Sequence, residues 1–256
     1  MAVARLTLRF FRRELRNRFA GSFTGGLWAL FQPLVQLAVY AFVFVHVFKA
    51  RVPGADAPGY VPFLVTALWP WTAFSEAILR STTAVQDNAA LIGKVAMPRE
   101  VLVVATAASS FAVHIAGFVA ILVVLSLTGG GIVAAGFLPA LLLYIPLFAL
   151  ALGFALTCAS LQVFVRDLIQ ALGQLLMLLM FAAPIFYDTE QLPESVRGWL
   201  ALNPFTFYAD AFRAFLLHHG SVGVERTLIA LAIAALVLLA GHSLFRRLDP
   251  HFEDFL

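Results

Sequence analysis

Apolar runs of about 20 residues or more constrain this chain most, because a helix of that length matches the hydrocarbon thickness of a bilayer. Six such runs occur, at residues 27–48, 60–79, 101–127, 137–165, 168–187 and 227–245. Hydrocarbon offers no partner to a backbone amide, so each run must satisfy its own hydrogen bonds, which helices do and open strands do not. The expected fold class is all-α and integral to a membrane: one domain over residues 1–256 with six transmembrane helices. Composition agrees, since 62% of residues are hydrophobic and only 12% charged, against about 25% charged in soluble domains. Pro33, Pro70, Pro146 and Pro184 lie inside these runs and each removes a backbone donor, so kinks or local breaks are expected there. Pro62 sits in a first turn, where proline is tolerated.

Charge sets the expected orientation. The net charge is +3, and six of the 17 basic residues precede residue 20, which reads as a topology signal rather than nucleic-acid binding. With the amino terminus inside, the inner segments hold Arg5, Arg9, Arg12, Arg13, Arg16, Arg18, Arg80, Lys94, Arg99, Arg166, Arg246 and Arg247. The outer ones hold only Lys49, Arg51, Arg197, Arg213 and Arg226. Both termini are therefore expected in the cytoplasm. The run at 27–48 is longer than the 7–15 residues of a signal-peptide core and follows a long basic helix, so it reads as a retained first span.

Four features outside the bare spans invite a functional reading. Between Val3 and Phe19, helical spacing puts Arg5, Arg9, Arg12, Arg13 and Arg16 in one arc opposite Val3, Phe10, Phe11 and Leu15. That pattern is an amphipathic interface helix, residues 1–26 forming a cytoplasmic segment that serves as an anchor or as a docking surface. The inner loop at 81–100 has Asp87-Asn88 placed to cap a short helix over 89–96, ended by Pro98, and is either a connector or a partner contact. Glu76 and Arg80, one turn apart, read as a self-neutralising interfacial pair, and His46, His114 and His242 as isolated. Aromatic residues crowd the spans, including Trp69-Pro70-Trp71, Tyr40, Phe42, Phe44, Phe181, Phe186 and Tyr187. They suit packing, interface anchoring or stacking on sugar rings.

Residues 188–224 are unusual for an outer loop, because Asn203-Pro204 is followed by the apolar stretch 205–217, too short to cross. Short re-entrant helices between spans five and six, or an outer-surface helix, both fit. No internal repeat supports an inverted-repeat carrier. The phosphate-loop, nucleophile-elbow and paired-histidine metalloprotease motifs are missing, and Cys158, the only cysteine, excludes an intramolecular disulfide or a cysteine-based zinc site. No metal is expected. If this chain moves a cargo uphill, another chain must supply the energy.

The sequence resembles the membrane subunit of type-2 ABC exporters, in the branch that exports O-antigen and related cell-surface polysaccharides. The likeness rests on Arg16-Asn17-Arg18-Phe19-Ala20-Gly21-Ser22 leading to Leu27-Trp28 and Gln32-Pro33-Leu34, then Val39-Tyr40 and Phe44. It continues through Ile92, Lys94, Met97-Pro98, Glu100 and Phe164-Val165-Arg166-Asp167 to Ala183-Pro184-Ile185-Phe186-Tyr187, Asn203-Pro204 and Phe245-Arg246-Arg247-Leu248-Asp249-Pro250. Met97 departs from the pattern, which has a bulky aromatic before the proline.

The resemblance implies a homodimer in the bacterial inner membrane, a central channel for a lipid-linked polysaccharide, and two copies of a cytoplasmic ABC ATPase that hold ATP and Mg. This chain would itself bind no cofactor and catalyse nothing. Arg9, Arg12, Arg13, Arg16, Asp87, Leu91, Ile92 and Lys94 would dock the ATPase. Tyr40, Phe44, Trp69, Trp71, Phe181 and Tyr187 would line the sugar path, and Asn203, Pro204, Phe205, Phe212 and Arg213 would form an outer gate over 188–224. The rivals are a type-2 exporter of another cargo (capsule, teichoic acid or drug), an ion-coupled carrier or channel, and an intramembrane enzyme. Scarce charge inside the spans weighs against the carrier, and the absence of paired polar catalytic groups against the enzyme.

Overall fold

The computed structural model describes residues 2–19, 27–47, 59–92, 97–189, 192–200, 202–217, 220 and 222–255, and every regular element among them is helical. In chain order these are α1 (Ala2–Phe19), α2 (Leu27–Phe42, continued by a π-helical turn Val43–Val47), α3 (Tyr60–Thr82), α4 (Ala89–Ile92) and α5 (Glu100–Leu127). They continue with α6 (Phe137–Gln162), α7 (Leu168–Phe181), α8 (Glu194–Leu200), α9 (Phe205–Leu216) and α10 (Val224–Leu248). A 3-10 segment, Asp249–Asp254, ends the described chain.

Among the described residues, three helical stretches, Glu100–Leu127, Ala134–Gln162 and Val224–Asp254, are long and apolar enough to cross a membrane. The expectation of six such helices is thus met in part. α3 has 23 residues, enough for about 34 Å, but Glu76, Arg80 and several hydroxyl groups dilute its apolarity. It affords them because it is the central helix: Pro62 through Trp71 are buried without interruption, and α2, α5, α6, α7 and α9 all pack on it. The run at 168–187 does not form one helix. α7 has only 14 residues, about 21 Å, and turns away at Ala182. The cause is Pro184, which lacks an amide donor and disfavours helical geometry at the residue before it. The other internal prolines behave differently: α2, α3 and α6 run on through Pro33, Pro70 and Pro146.

Core residues fall into two clusters. The larger joins α3, α5, α6, α7 and α9 around Phe63, Trp71, Phe118, Leu147, Phe205 and Phe212. The second gathers Phe10 of α1, Val85, Ile92, Val101, Leu156, Phe245 and Phe252, tying α1, α4, the start of α5, the end of α6 and the chain's carboxy-terminal turn into one end of the bundle. α1 therefore packs on α5 through Phe10, rather than merely lying on a membrane surface as its amphipathic pattern suggested.

The broadest helix pairing is α6 with α10. Its cause is a glycine pair, since a Cβ on Gly153 would sit 2.5 Å from the Val237 carbonyl oxygen, and one on Gly241 would collide with the Gly153 backbone. Small residues let two helix backbones approach closely where hydrocarbon gives no hydrophobic drive for association. Away from this seam α10 exposes Leu228, Leu231 and Leu236, a surface suited to lipid.

Candidate functional site

At the end of the bundle that holds the second core cluster, α1 meets the turn after α3. Arg5, Arg9, Arg12 and Arg16 are exposed, while Arg13 points inward. Its guanidinium donates to Asn88 Oδ1 at 2.5 Å, lies 3.4 Å from Glu14 and stacks 4.6 Å over the Phe10 ring. Arg13 is thus a tie between helix and turn, unlike the four exposed arginines of α1. Asp87 and Asn88 do not cap α4: Asp87 accepts a hydrogen bond from Thr83 and Asn88 donates back to the Ala84 carbonyl. These i,i+4 bonds carry the helical path of α3 onward through a 3-10 turn into α4. Leu91 is half-buried and Ile92 buried. Lys94, and the rest of the expected helix at 93–96, lie outside the described residues. Between α1 and this turn runs a polar crevice of about 380 Å³, lined by Arg13, Glu14, Arg80, Thr83, Asp87 and Asn88.

Glu76 is not half of an isolated surface pair. Arg18 of α1 grips its carboxylate with two nitrogens, at 2.7 and 3.0 Å, and His114 of α5 donates to it at 2.7 Å. Ser110 donates at 3.3 Å, whereas Arg80, the partner expected from spacing, is farther at 3.6 Å. His114 is therefore a ligand of the carboxylate, and its carbonyl accepts the Trp69 indole N–H at 2.9 Å. His242 and His46 are not isolated either: His242 lies 3.2 Å from Glu100, and His46 stacks on Phe42 with centroids 5.1 Å apart.

A second polar junction has no signature in the sequence. Gln162, at the end of α6 and only 2% exposed, spends its whole amide group on three segments. Its Nε2 donates to the Arg166 carbonyl at 2.9 Å and to Gln86 Oε1 at 3.3 Å, while its Oε1 accepts the Ile169 amide at 2.9 Å. Gln86 donates in return to the Gln162 carbonyl at 2.9 Å. The turn before α4 is thus bonded to the first turn of α7.

The aromatic residues singled out in the sequence separate into two groups. Around Phe186 gather Tyr40 edge-on at 5.1 Å, Phe44 stacked at 5.1 Å and Phe181 stacked at 5.2 Å. The Tyr60 hydroxyl fixes the Phe186 carbonyl, and the Tyr187 hydroxyl fixes that of Phe181, each at 2.9 Å. Four of the six aromatic residues expected to line a sugar path, Tyr40, Phe44, Phe181 and Tyr187, belong to this group. Trp69 and Trp71 do not join it: each is 3% exposed, and Trp71 packs edge-on against Phe205 at 4.9 Å. In this chain the two tryptophans serve the core and present no open face.

α9 opens with an Asx turn in which Asn203 Oδ1 accepts the Phe205 amide at 3.0 Å, while its Nδ2 reaches the Leu179 carbonyl of α7 at 3.1 Å. Pro204 follows as the cap position of the helix. Phe205 and Phe212 are fully buried, Phe212 meeting Phe118 and Tyr144 edge-on. Arg213, 5% exposed, donates to the carbonyls of Pro184 at 2.5 Å, Ile185 at 2.8 Å and Phe63 at 3.4 Å, and lies 3.5 Å over the Phe63 ring. Burial pulls its guanidinium down to about 10, with Asp210 and Asp188 opposing the shift, so it stays protonated at neutral pH. These bonds satisfy carbonyls freed where α7 breaks before Pro184. Α surface-lying α9 is excluded by this burial, whereas α8 is largely exposed.

A profile of the ABC-2 type transporter family matches residues 5–217. The O-antigen export system permease protein of Myxococcus xanthus is 29% identical over 256 residues, covering 97% of this chain and 94% of that protein. An O-antigen export system permease protein of Klebsiella pneumoniae is 26% identical over 95% of this chain and 92% of its own length. The polysialic acid transport protein of Escherichia coli is 24% identical over 92% and 90%.

Proposed function

The chain belongs to the ABC-2 type transporter family, and from that premise we propose that it is the permease subunit of an ATP-driven exporter that carries a lipid-linked polysaccharide of the O-antigen type across the bacterial inner membrane. The observation that carries the reading is the likeness, over nearly the whole length of both proteins, to permeases named for O-antigen export. Two copies of this chain form the channel, and two copies of a cytoplasmic ABC ATPase bind beneath them and hold ATP and Mg. The chain crosses the membrane six times with both termini cytoplasmic: α5, α6 and α10 cross as apolar helices, α3 crosses sheathed by its neighbours, and α2 and α7 complete the count with help from the segments that follow them.

In this arrangement the exposed arginines of α1, Arg9, Arg12 and Arg16, meet the ATPase together with the segment around Asp87, Leu91, Ile92 and Lys94. Arg13 holds the two elements in register. The Phe186 cluster offers ring faces to sugar C–H groups, and Tyr40, Phe44, Phe181 and Tyr187 line that path. Asn203, Pro204, Phe205, Phe212 and Arg213 seat α9 as the outer gate against the turn at 182–187. ATP binding closes the ATPase dimer, and the state with the channel open outward is favoured by contacts that only the closed dimer makes.

The likeness to a polysialic acid transporter keeps a capsule chain as the second reading of cargo. Deleting the gene tests both. Accumulation of lipid-linked O-antigen inside the cell, with none at the surface, is expected; normal surface O-antigen with loss of a capsule would favour the second reading, and no change in either glycan would sink the proposal.

A further inference from the structure

One cleft lies apart from the polar junctions and the aromatic cluster described above. It lies between α1, α5, α6 and α10, has a volume of about 300 Å³, and is walled by Val104, Leu152, Leu156, Leu238 and Leu239. Three of its four walls are the helices apolar enough to cross a membrane, so its open side faces hydrocarbon. An apolar cleft of this kind stays dry, and an empty one forfeits the dispersion contacts of its lining. Acyl chain is the material at hand to fill it.

The cleft is not uniformly apolar. Its end at the start of α5 and the last turns of α10 holds Glu100 and His242. Glu100 lies 3.2 Å from His242 Nδ1 and 3.8 Å from Arg246, whose side chain is 68% exposed. The Glu100–Arg246 separation is too long for a hydrogen bond, so both groups keep capacity for a further partner. Basic residues in the last turn of α10 put this end at headgroup level. An apolar slot that ends in a carboxylate beside an exposed guanidinium has the polarity of a phospholipid with a zwitterionic head.

We propose that this cleft binds a single inner-leaflet phospholipid with a primary-ammonium head, its chain in the groove walled by α5, α6 and α10, its phosphate on Arg246 and its ammonium on Glu100. A carboxylate at the mouth repels a purely anionic head, and a quaternary ammonium has no hydrogen to donate to it, so phosphatidylethanolamine fits better than phosphatidylglycerol or phosphatidylcholine. The bound lipid also bridges α1, through Val3 and Thr7 at the cleft's edge, to α10. The inference is independent of the cargo; its choice of leaflet rests on the orientation proposed above.

Native mass spectrometry of the full chain, purified in mild detergent and offered equal amounts of the three lipids, tests it. Wild type should retain phosphatidylethanolamine about tenfold over phosphatidylglycerol, the equilibrium worth of one charge-assisted hydrogen bond. Glu100→Gln should abolish that preference while leaving chain occupancy, and Leu239→Trp, on the exposed rim, should displace all three lipids. Equal retention of the three lipids by wild type, or a preference that survives Glu100→Gln, would overturn the assignment. So would unchanged retention in Leu239→Trp.

Discussion

Replacing Glu76 by leucine removes the centre of the α1–α3–α5 junction. The variant strands the Arg18 guanidinium, whose side chain is 12% exposed, and leaves the His114 ring, 3% exposed, without its acceptor. Deleting one partner of a fully buried ion pair costs about 3–5 kcal/mol, because the other charge stays uncompensated. Glu76 itself is 28% exposed, so water at the site relieves part of that loss, and about 2–3 kcal/mol remains. For a chain of this size, that corresponds to a fall in melting temperature of about 5–10 °C. Thermal unfolding in detergent, followed by tryptophan fluorescence, measures it directly, with Trp69 bonded to the His114 carbonyl as a nearby reporter. The double variant Arg18→Leu with Glu76→Leu should recover at least about 1 kcal/mol relative to the sum of the single variants. A Glu76→Leu melting temperature within a degree of wild type, or strict additivity in the double variant, would refute the view that the carboxylate holds α1 to the bundle.

Three further outcomes follow from the other junctions. Gly241→Val should force α6 and α10 apart and cost about 3 kcal/mol or more, read as lost yield and a lower melting temperature, because its Cβ would fall on the Gly153 backbone. Arg213→Lys keeps the charge but not the fork that spans the Pro184 and Ile185 carbonyls. It should destabilise the chain by about 1–3 kcal/mol and reduce export while ATPase binding, measured by copurification, is unchanged. Gln162→Leu cuts the link between the turn at Gln86 and the start of α7. It should preserve copurification and ATP hydrolysis while lowering export per ATP several-fold, and an unchanged ratio would show that the link carries no motion.

The parts of the fold that could be read from sequence are those decided by local composition. α5, α6 and α10 bury or expose apolar residues on nearly every side, so their runs announced them, and the break of α7 follows from Pro184 alone. α3 was legible as a helix, but its polar residues were not interpretable, because their partners lie far along the chain. Arg18 is 58 residues from Glu76, and His114 is 38 away. Spacing therefore favoured Arg80, the weaker contact. Gln162 gave no signal, since a lone glutamine at a helix end is ordinary until Gln86, 76 residues earlier, is brought beside it. Among the aromatics, composition could not separate Trp69 and Trp71, spent on the core, from Tyr40 and Phe44, which meet Phe186 only after α2 packs beside α3. The depth of α9 was equally hidden: Arg213 argues for a surface helix until the freed carbonyls at 184 and 185 are seen to need a donor.

Export of a lipid-linked polysaccharide by this chain is proposed to require a separate ATPase. Its most direct test is proteoliposomes loaded with lipid-linked O-antigen on the ATPase side and containing the permease alone, the ATPase alone or both. Glycan should become accessible to a lectin on the opposite side only when both proteins and hydrolysable ATP are present. Transfer by the permease alone under a proton gradient, or no transfer by the complete complex while it hydrolyses ATP, would contradict it.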